Sequence, residues 1–204
     1  MDDWSLIVGL GNPGEQYART RHNAGFLVLD GLADRVRANW SVEKRFSALV
    51  ARAEFGGRRL LLAKPQTYMN LSGEAVGALM QFYRVPISAL LVVVDDANLG
   101  LGAIRLRPGG SSGGHHGLDS ITQHLGGESQ YSRQRVGIGR ADSRQREITG
   151  HVLGRFGEAE WPLMEKVFMR AGDQIECWLQ SGIEMAMNQY NGAVERPADK
   201  KDSL

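Results

Sequence analysis

Four polar residues stand where a buried apolar run gives way to a loop. Asn12 and His22 follow the run Leu6 to Leu10, Asn70 follows Arg58 to Ala63, and Asp95 closes Ala89 to Val94. A further pair, His115-His116, sits in the glycine-rich stretch Pro108 to Gly117 after the alternating segment Ala103 to Arg107. Their chemistry is coherent. An imidazole can take a proton near neutral pH. A carboxylate beside it can hold one tautomer and stabilise the cation. Carboxamides can donate to a developing oxyanion or hold a carbonyl. No serine stands out as a nucleophile, and the one cysteine, Cys177, lies far off in a helical apolar pattern. The set therefore points to general-base attack of water on an acyl group. Each member also has a plain structural reading: His22 or Asn70 as a local cap, Asp95 as a strand-end residue, the glycine stretch as a flexible loop.

The elements that must position these residues alternate in type. Leu6 to Leu10 and Ala89 to Asp95 read as buried strands, and Ala24 to Asn39 as a helix. Phe46 to Phe55 and Arg58 to Ala63 form a hairpin across Gly56-Gly57, broken at Lys64-Pro65. A helix runs from Leu71 to Tyr83 with Ser72 a candidate N-cap. Ala103 to Arg107 and Arg135 to Gly139 are strands, Leu118 to Leu125 is a short helix, and Glu158 to Tyr190 holds two helical stretches around Gly172 and Gly182. This order predicts an α/β fold: one domain over residues 1–192, with a twisted, mixed, mostly parallel sheet and helices on both faces, and a mobile polar tail over 193–204. In such sheets ligands collect beyond the carboxyl ends of the strands, where the four polar residues lie.

Composition narrows the class. Hydrophobic residues at 42% and charged residues at 23% match a soluble globular chain. No apolar stretch approaches the roughly 20 residues of a membrane span, and the single cysteine forbids an intrachain disulfide, so a cytoplasmic location is expected. Net charge is +1, but between residues 104 and 146 seven arginines face three acidic residues. Arginine's planar fork suits phosphate, although a solvated charged face would look the same.

Gly9 to Gly14 matches the G-x-G-x-x-G pattern of dinucleotide sites. Three features argue against that use. Pro13 removes a backbone donor from any phosphate nest. The helix starts near Ala24, too far along for its N-terminus to receive a pyrophosphate. No acidic residue closes a second strand about 20 residues on.

The stretches LIVGLGNPGEQYARTRHNAGF (6–26), KPQTYMNLSGEAV (64–76), LLVVVDDANLGLGAIRLRPGGSSGGHHGLDSI (90–121) and RVGIGR (135–140) resemble, in order, those of the bacterial peptidyl-tRNA hydrolases. The resemblance implies cleavage of the ester between a peptide and the 3′ ribose of tRNA, so that peptidyl-tRNA is the partner. It implies His22 and Asp95 as the catalytic pair and Asn12, Tyr17, Tyr68, Asn70 and His116 around the substrate. Arg107 and Arg135 would hold the tRNA phosphate. It further implies a monomer without metal, cofactor or membrane attachment. The sequence departs from the family pattern at His116, where an asparagine is usual, at Val94 and Asn98, and at Arg107, where the family has lysine. A neutral histidine at 116 keeps one donor and one acceptor. The alternative is a non-catalytic RNA-binding relative with the same fold.

Overall fold

The computed structural model describes residues 4–140 and 148–194. Eight strands form one sheet: β1 (Trp4–Gly9), β2 (Ser41–Glu43), β3 (Ala48–Phe55), β4 (Arg58–Pro65), β5 (Leu90–Asp96), β6 (Ala103–Arg107), β7 (Ser132–Gly137) and β8 (Gly192–Ala193), in the order β2-β3-β4-β1-β5-β7-β6-β8. The central strands β4, β1, β5 and β7 run parallel. Both flanks are antiparallel: the hairpin side β2-β3-β4, and β7-β6-β8 on the other edge. The sheet is thus mixed, as predicted, but not mostly parallel: among the described residues three pairings, at the centre, are parallel and four, on the flanks, are antiparallel.

Period-two alternation splits β1 between two cores. Ile7 faces one side with Val28, Leu29 and Leu32 of α1 (Ala24–Arg35) and Val167, Ala171 and Ile175 of α5 (Trp161–Ser181). Leu6 and Val8 face the other, with Val76 and Leu79 of α2 (Ser72–Tyr83) and Leu118 and Ile121 of α3 (His116–His124). Helices α4 (Ile148–Leu153) and α6 (Ile183–Tyr190) complete the described set. A strand buried on both faces reads as an unbroken apolar run, which is the pattern of β5.

The glycines after β1 serve packing. A methyl group on Gly25 would lie 2.4 Å from the carbonyl oxygen of Val93 and 2.5 Å from the amide nitrogen of Leu10, and one on Gly9 only 2.3 Å from the carbonyl oxygen of Gly25. The start of α1 therefore touches the backbone of β1 and β5 with no side chain between them. That contact sets the residues just before α1 at the carboxyl ends of the strands.

Several boundaries differ from expectation. Strand β4 runs through Lys64 and Pro65, because the buried Lys64 ammonium is paired with Asp30 of α1 and proline is tolerated at a strand's last residue. Ser72 is no N-cap: it lies inside α2, buried, and donates its hydroxyl to the Met69 carbonyl at 2.8 Å. Helix α1 stops four residues short of Asn39, where Arg37 takes a positive φ of 53°. Gly172 does not interrupt α5; it makes room for the Arg35 guanidinium, 3.1 Å from where its Cβ would stand. Ala193 and Val194, expected in the tail, join the edge of the sheet, Ala193 opposite Ala103 and Val194 donating its N–H to Gly102 at 2.9 Å. The rest of the expected tail lies outside the described residues.

Candidate active site

His22 sits in a 3-10 turn, Arg21–Asn23, that leads directly into α1. Its neighbours clamp it from both sides. Arg21 donates to the Ile138 carbonyl at 3.1 Å and to Glu160 at 2.8 Å. Asn23 is buried and makes a reciprocal pair with the Asn12 backbone, accepting its N–H at 2.9 Å and donating to its carbonyl at 3.0 Å. The Asn12 side-chain carbonyl accepts the Met69 N–H at 2.9 Å. Its Nδ2 makes no hydrogen bond among the described residues, so it keeps both donors for a ligand.

Asp95, at the end of β5, is 3% exposed. His22 donates from Nδ1 to Asp95 Oδ1 at 2.9 Å, and His115 donates from Nε2 to the same oxygen at 3.0 Å. Burial pushes the Asp95 carboxyl up, but hydrogen bonds and charge from His115 and then His22 outweigh it and hold the group well below the usual carboxylate range. In the neutral ring, donation from Nδ1 leaves Nε2 as the acceptor a general base requires, and among the described residues Nε2 has no partner.

These groups border a cavity of about 590 Å³ that also meets Asn98, His116, Arg135 and, from α4 and the segment before it, Arg140, Val152 and Leu153. Of the residues singled out from the sequence, the fold brings Asn12, His22, Asp95, His116 and Arg135 together on this cavity. Tyr17, Tyr68, Asn70 and Arg107 do not line it. Tyr68 and Asn70 are exposed on either side of Met69, the residue whose N–H fixes Asn12, and Tyr17 is half-buried in the turn before His22.

His116 is exposed and forms the first turn of α3 rather than part of the loop. The histidine that reaches Asp95 is its neighbour His115, at the N-cap position. The loop before it bends through Gly113 and Gly114, at φ of 65° and 82°, a conformation that favours glycine. His115, Asn23 and Asp96 are site residues to which the sequence alone assigned no role. Each is adjacent to a chosen residue, and only tertiary packing tells the members of each pair apart.

The arginines form a second feature. The antiparallel β6-β7 register sets Arg105 opposite Arg135 and Arg107 opposite Arg133. Period-two geometry puts all four on one sheet face. Arg135 donates to Asp96 Oδ2 at 3.3 Å and to the carbonyls of Ser111 and Ser112 at 2.9 and 3.0 Å. Arg105 reaches the same Asp96 oxygen at 3.5 Å. Arg107 is exposed, and among the described residues its one hydrogen-bond contact is to the Met187 sulfur at 4.0 Å. Arg144 and Arg146 lie outside the described residues.

A family model described as peptidyl-tRNA hydrolase matches residues 6–200. A peptidyl-tRNA hydrolase of Synechococcus sp. (strain JA-3-3Ab) is 48% identical over 198 residues, covering 97% of this chain and 87% of that one. One from Thermoanaerobacter sp. (strain X514) is 43% identical over 92% of this chain and 99% of its own. Among solved structures, the crystal structure of peptidyl-tRNA hydrolase from Acinetobacter baumannii is similar at a TM-score of 0.88 and 39% identity, covering 97% of this chain and 98% of that one.

Proposed function

The chain belongs to the peptidyl-tRNA hydrolase family, and we propose that it cleaves the peptide–tRNA ester with His22 as general base and Asp95 as its partner. The reaction is hydrolysis of the ester between a peptide's carboxyl end and the 3′ ribose of tRNA, which returns free tRNA to translation. Water adds to the ester carbonyl as its proton passes to His22 Nε2. Asp95 steadies the imidazolium through Nδ1, as in acyl-transfer triads. The oxyanion of the tetrahedral intermediate receives a hydrogen bond from Asn12 Nδ2. Collapse expels the ribose 3′ oxygen, which takes the proton back from His22, leaving tRNA with a free 3′ hydroxyl and a peptide carboxylic acid that ionises by releasing its proton to solvent.

The observation that carries this reading is the Asp95–His22 hydrogen bond on the wall of an open cavity. Asn70, Tyr17, Tyr68 and His116 contact the peptide or acceptor end around it. Arg107 and Arg135 take the tRNA phosphate, and Arg107 is exposed for it. The protein acts as a single-domain monomer in the cytoplasm, without metal or cofactor. No helix among the described residues is long and apolar enough to cross a membrane.

The test is ester cleavage on an N-acylated aminoacyl-tRNA without added metal. Turnover that is abolished in His22→Ala supports the reading. Tight tRNA binding with no cleavage would instead identify a non-catalytic RNA-binding relative.

A further inference from the structure

We propose that Asp95 Oδ1, His22 Nδ1 and His115 Nε2 form a binding site for a borderline divalent cation, Zn2+, and that filling it switches hydrolysis off. The three atoms lie within 4.8 Å of one another, with the two nitrogens 2.9 and 3.0 Å from the shared oxygen. Tetrahedral zinc, at about 2.0–2.1 Å from each ligand, holds its ligands roughly 3.3 Å apart. The two nitrogens, within 4.8 Å of each other, must close toward that spacing through rotation of the two rings. Two imidazoles and one carboxylate suit zinc; magnesium and calcium prefer all-oxygen shells. The buried carboxylate faces two rings that carry no formal charge when neutral, so the set has one negative charge to offer a dication. The adjoining cavity leaves the fourth position to water, the pattern of three protein ligands and one open site. Arg135 lines the same cavity, but its charge is opposed by Asp96.

Filling the site reverses two tautomers. Zinc on His22 Nδ1 requires the ring proton to move to Nε2, and zinc on His115 Nε2 sends its proton to Nδ1. Neither move breaks a hydrogen bond at the nitrogen that receives the proton, though on His115 it leaves a buried N–H without an acceptor. Among the described residues, His115 Nδ1 is buried with no hydrogen-bond partner, and His22 Nε2 has none either. The cost is two hydrogen bonds to Asp95, which the metal bonds replace. With its proton on Nε2, His22 can no longer accept one from water. The metal sits behind the ring, on the Asp95 side, so water bound to it is not presented where Nε2 would deliver the nucleophile. The loss of turnover rests on the general-base reading above; the binding site does not.

The test uses the full chain. Zn2+ is titrated in competition with a chromogenic chelator, with Co2+ as a spectroscopic probe. One metal per chain is expected, with the visible absorption of four-coordinate cobalt. Asp95→Asn and His115→Gln, checked for folding by circular dichroism, should each weaken binding at least tenfold. His124→Gln, whose ring hydrogen-bonds the Ser120 carbonyl on α3 and lies against Gly73 away from the site, should not. Nitrogen-15 spectra of the imidazoles should show the His22 proton move from Nδ1 to Nε2. Turnover should fall in step with occupancy and return with chelator. Absent binding, or binding unchanged in both ligand variants, overturns the site, and full turnover at full occupancy overturns the switch. Undiminished turnover in His22→Ala would sink the general-base reading and the switch together, while the metal titration, run without substrate, would still decide the site.

Discussion

Asp95 and Asp96 are neighbours on β5, of one residue type, and nearly equally buried at 3% and 5% exposed. Each places one oxygen between two cationic or ionisable groups. Asp95 Oδ1 holds two imidazoles at 2.9 and 3.0 Å. Asp96 Oδ2 holds two guanidinium groups at 3.3 and 3.5 Å, while its other oxygen accepts the Asn98 N–H at 2.8 Å. The partners make the difference. Imidazole gains and loses a proton near neutral pH, so the short contacts around Asp95 can steer proton transfer. Guanidinium stays charged, so Asp96 can only place and partly neutralise positive charge. In the proposed reaction, these adjacent residues on one strand divide the task, chemistry at Asp95 and the grip on an anionic substrate at Asp96.

The largest test of that division is His22→Ala. Loss of a general base should lower kcat by about 10²–10⁴-fold with tRNA affinity retained, as measured by single-turnover kinetics beside a binding titration. Retention of more than roughly a tenth of turnover would place the chemistry elsewhere. Asp95→Asn should follow, with kcat down by about 10²-fold or more and KM little changed. Its stability should also report the carboxylate's depressed pKa. A group whose folded pKa is lowered contributes stability that is complete above its unfolded pKa and lost as pH falls through the folded one. Urea titrations should therefore show wild type more stable than Asp95→Asn at neutral pH, the gap closing only below about pH 4, the ordinary aspartate range.

Around Asp96 the effects should be smaller and appear in KM. Arg107→Glu should raise KM roughly tenfold, the worth of one hydrogen bond to a charged group, with kcat nearly unchanged because the contact is the same in ground and transition states. It should also flatten the salt dependence of tRNA binding. Equal affinity for tRNA with and without its 5′ phosphate would remove that assignment. Smallest of all, Asp96→Asn should lower KM by about threefold, within the range of a partly exposed ion pair, since it frees charge on Arg105 and Arg135. A fall in kcat there comparable to Asp95→Asn would erase the distinction between the two carboxylates.

Much of this was legible in order along the chain. Apolar runs and their breaks located β1 and β5, the Gly56-Gly57 turn located the β3-β4 hairpin, and the shift of period at Ala24 marked the start of α1, because strand and helix periodicity are local signals. His22, Asp95 and Asn12 stood out as polar residues at the ends of apolar runs. Pro13 and the late helix start were enough to set aside a dinucleotide loop. Which histidine of His115-His116 meets Asp95 was not legible, since it depends on where α3 begins and on how the Gly113-Gly114 bend turns the chain. The role of Asn23 depends on Gly9 and Gly25 letting α1 touch the sheet. The arginine face depends on the β6-β7 register, and a shift of one residue would turn the side chains to the other face. Composition and periodicity determine which elements form; the pairing of residues far apart in the chain, set by packing and ladder register, decided which side chains share a site.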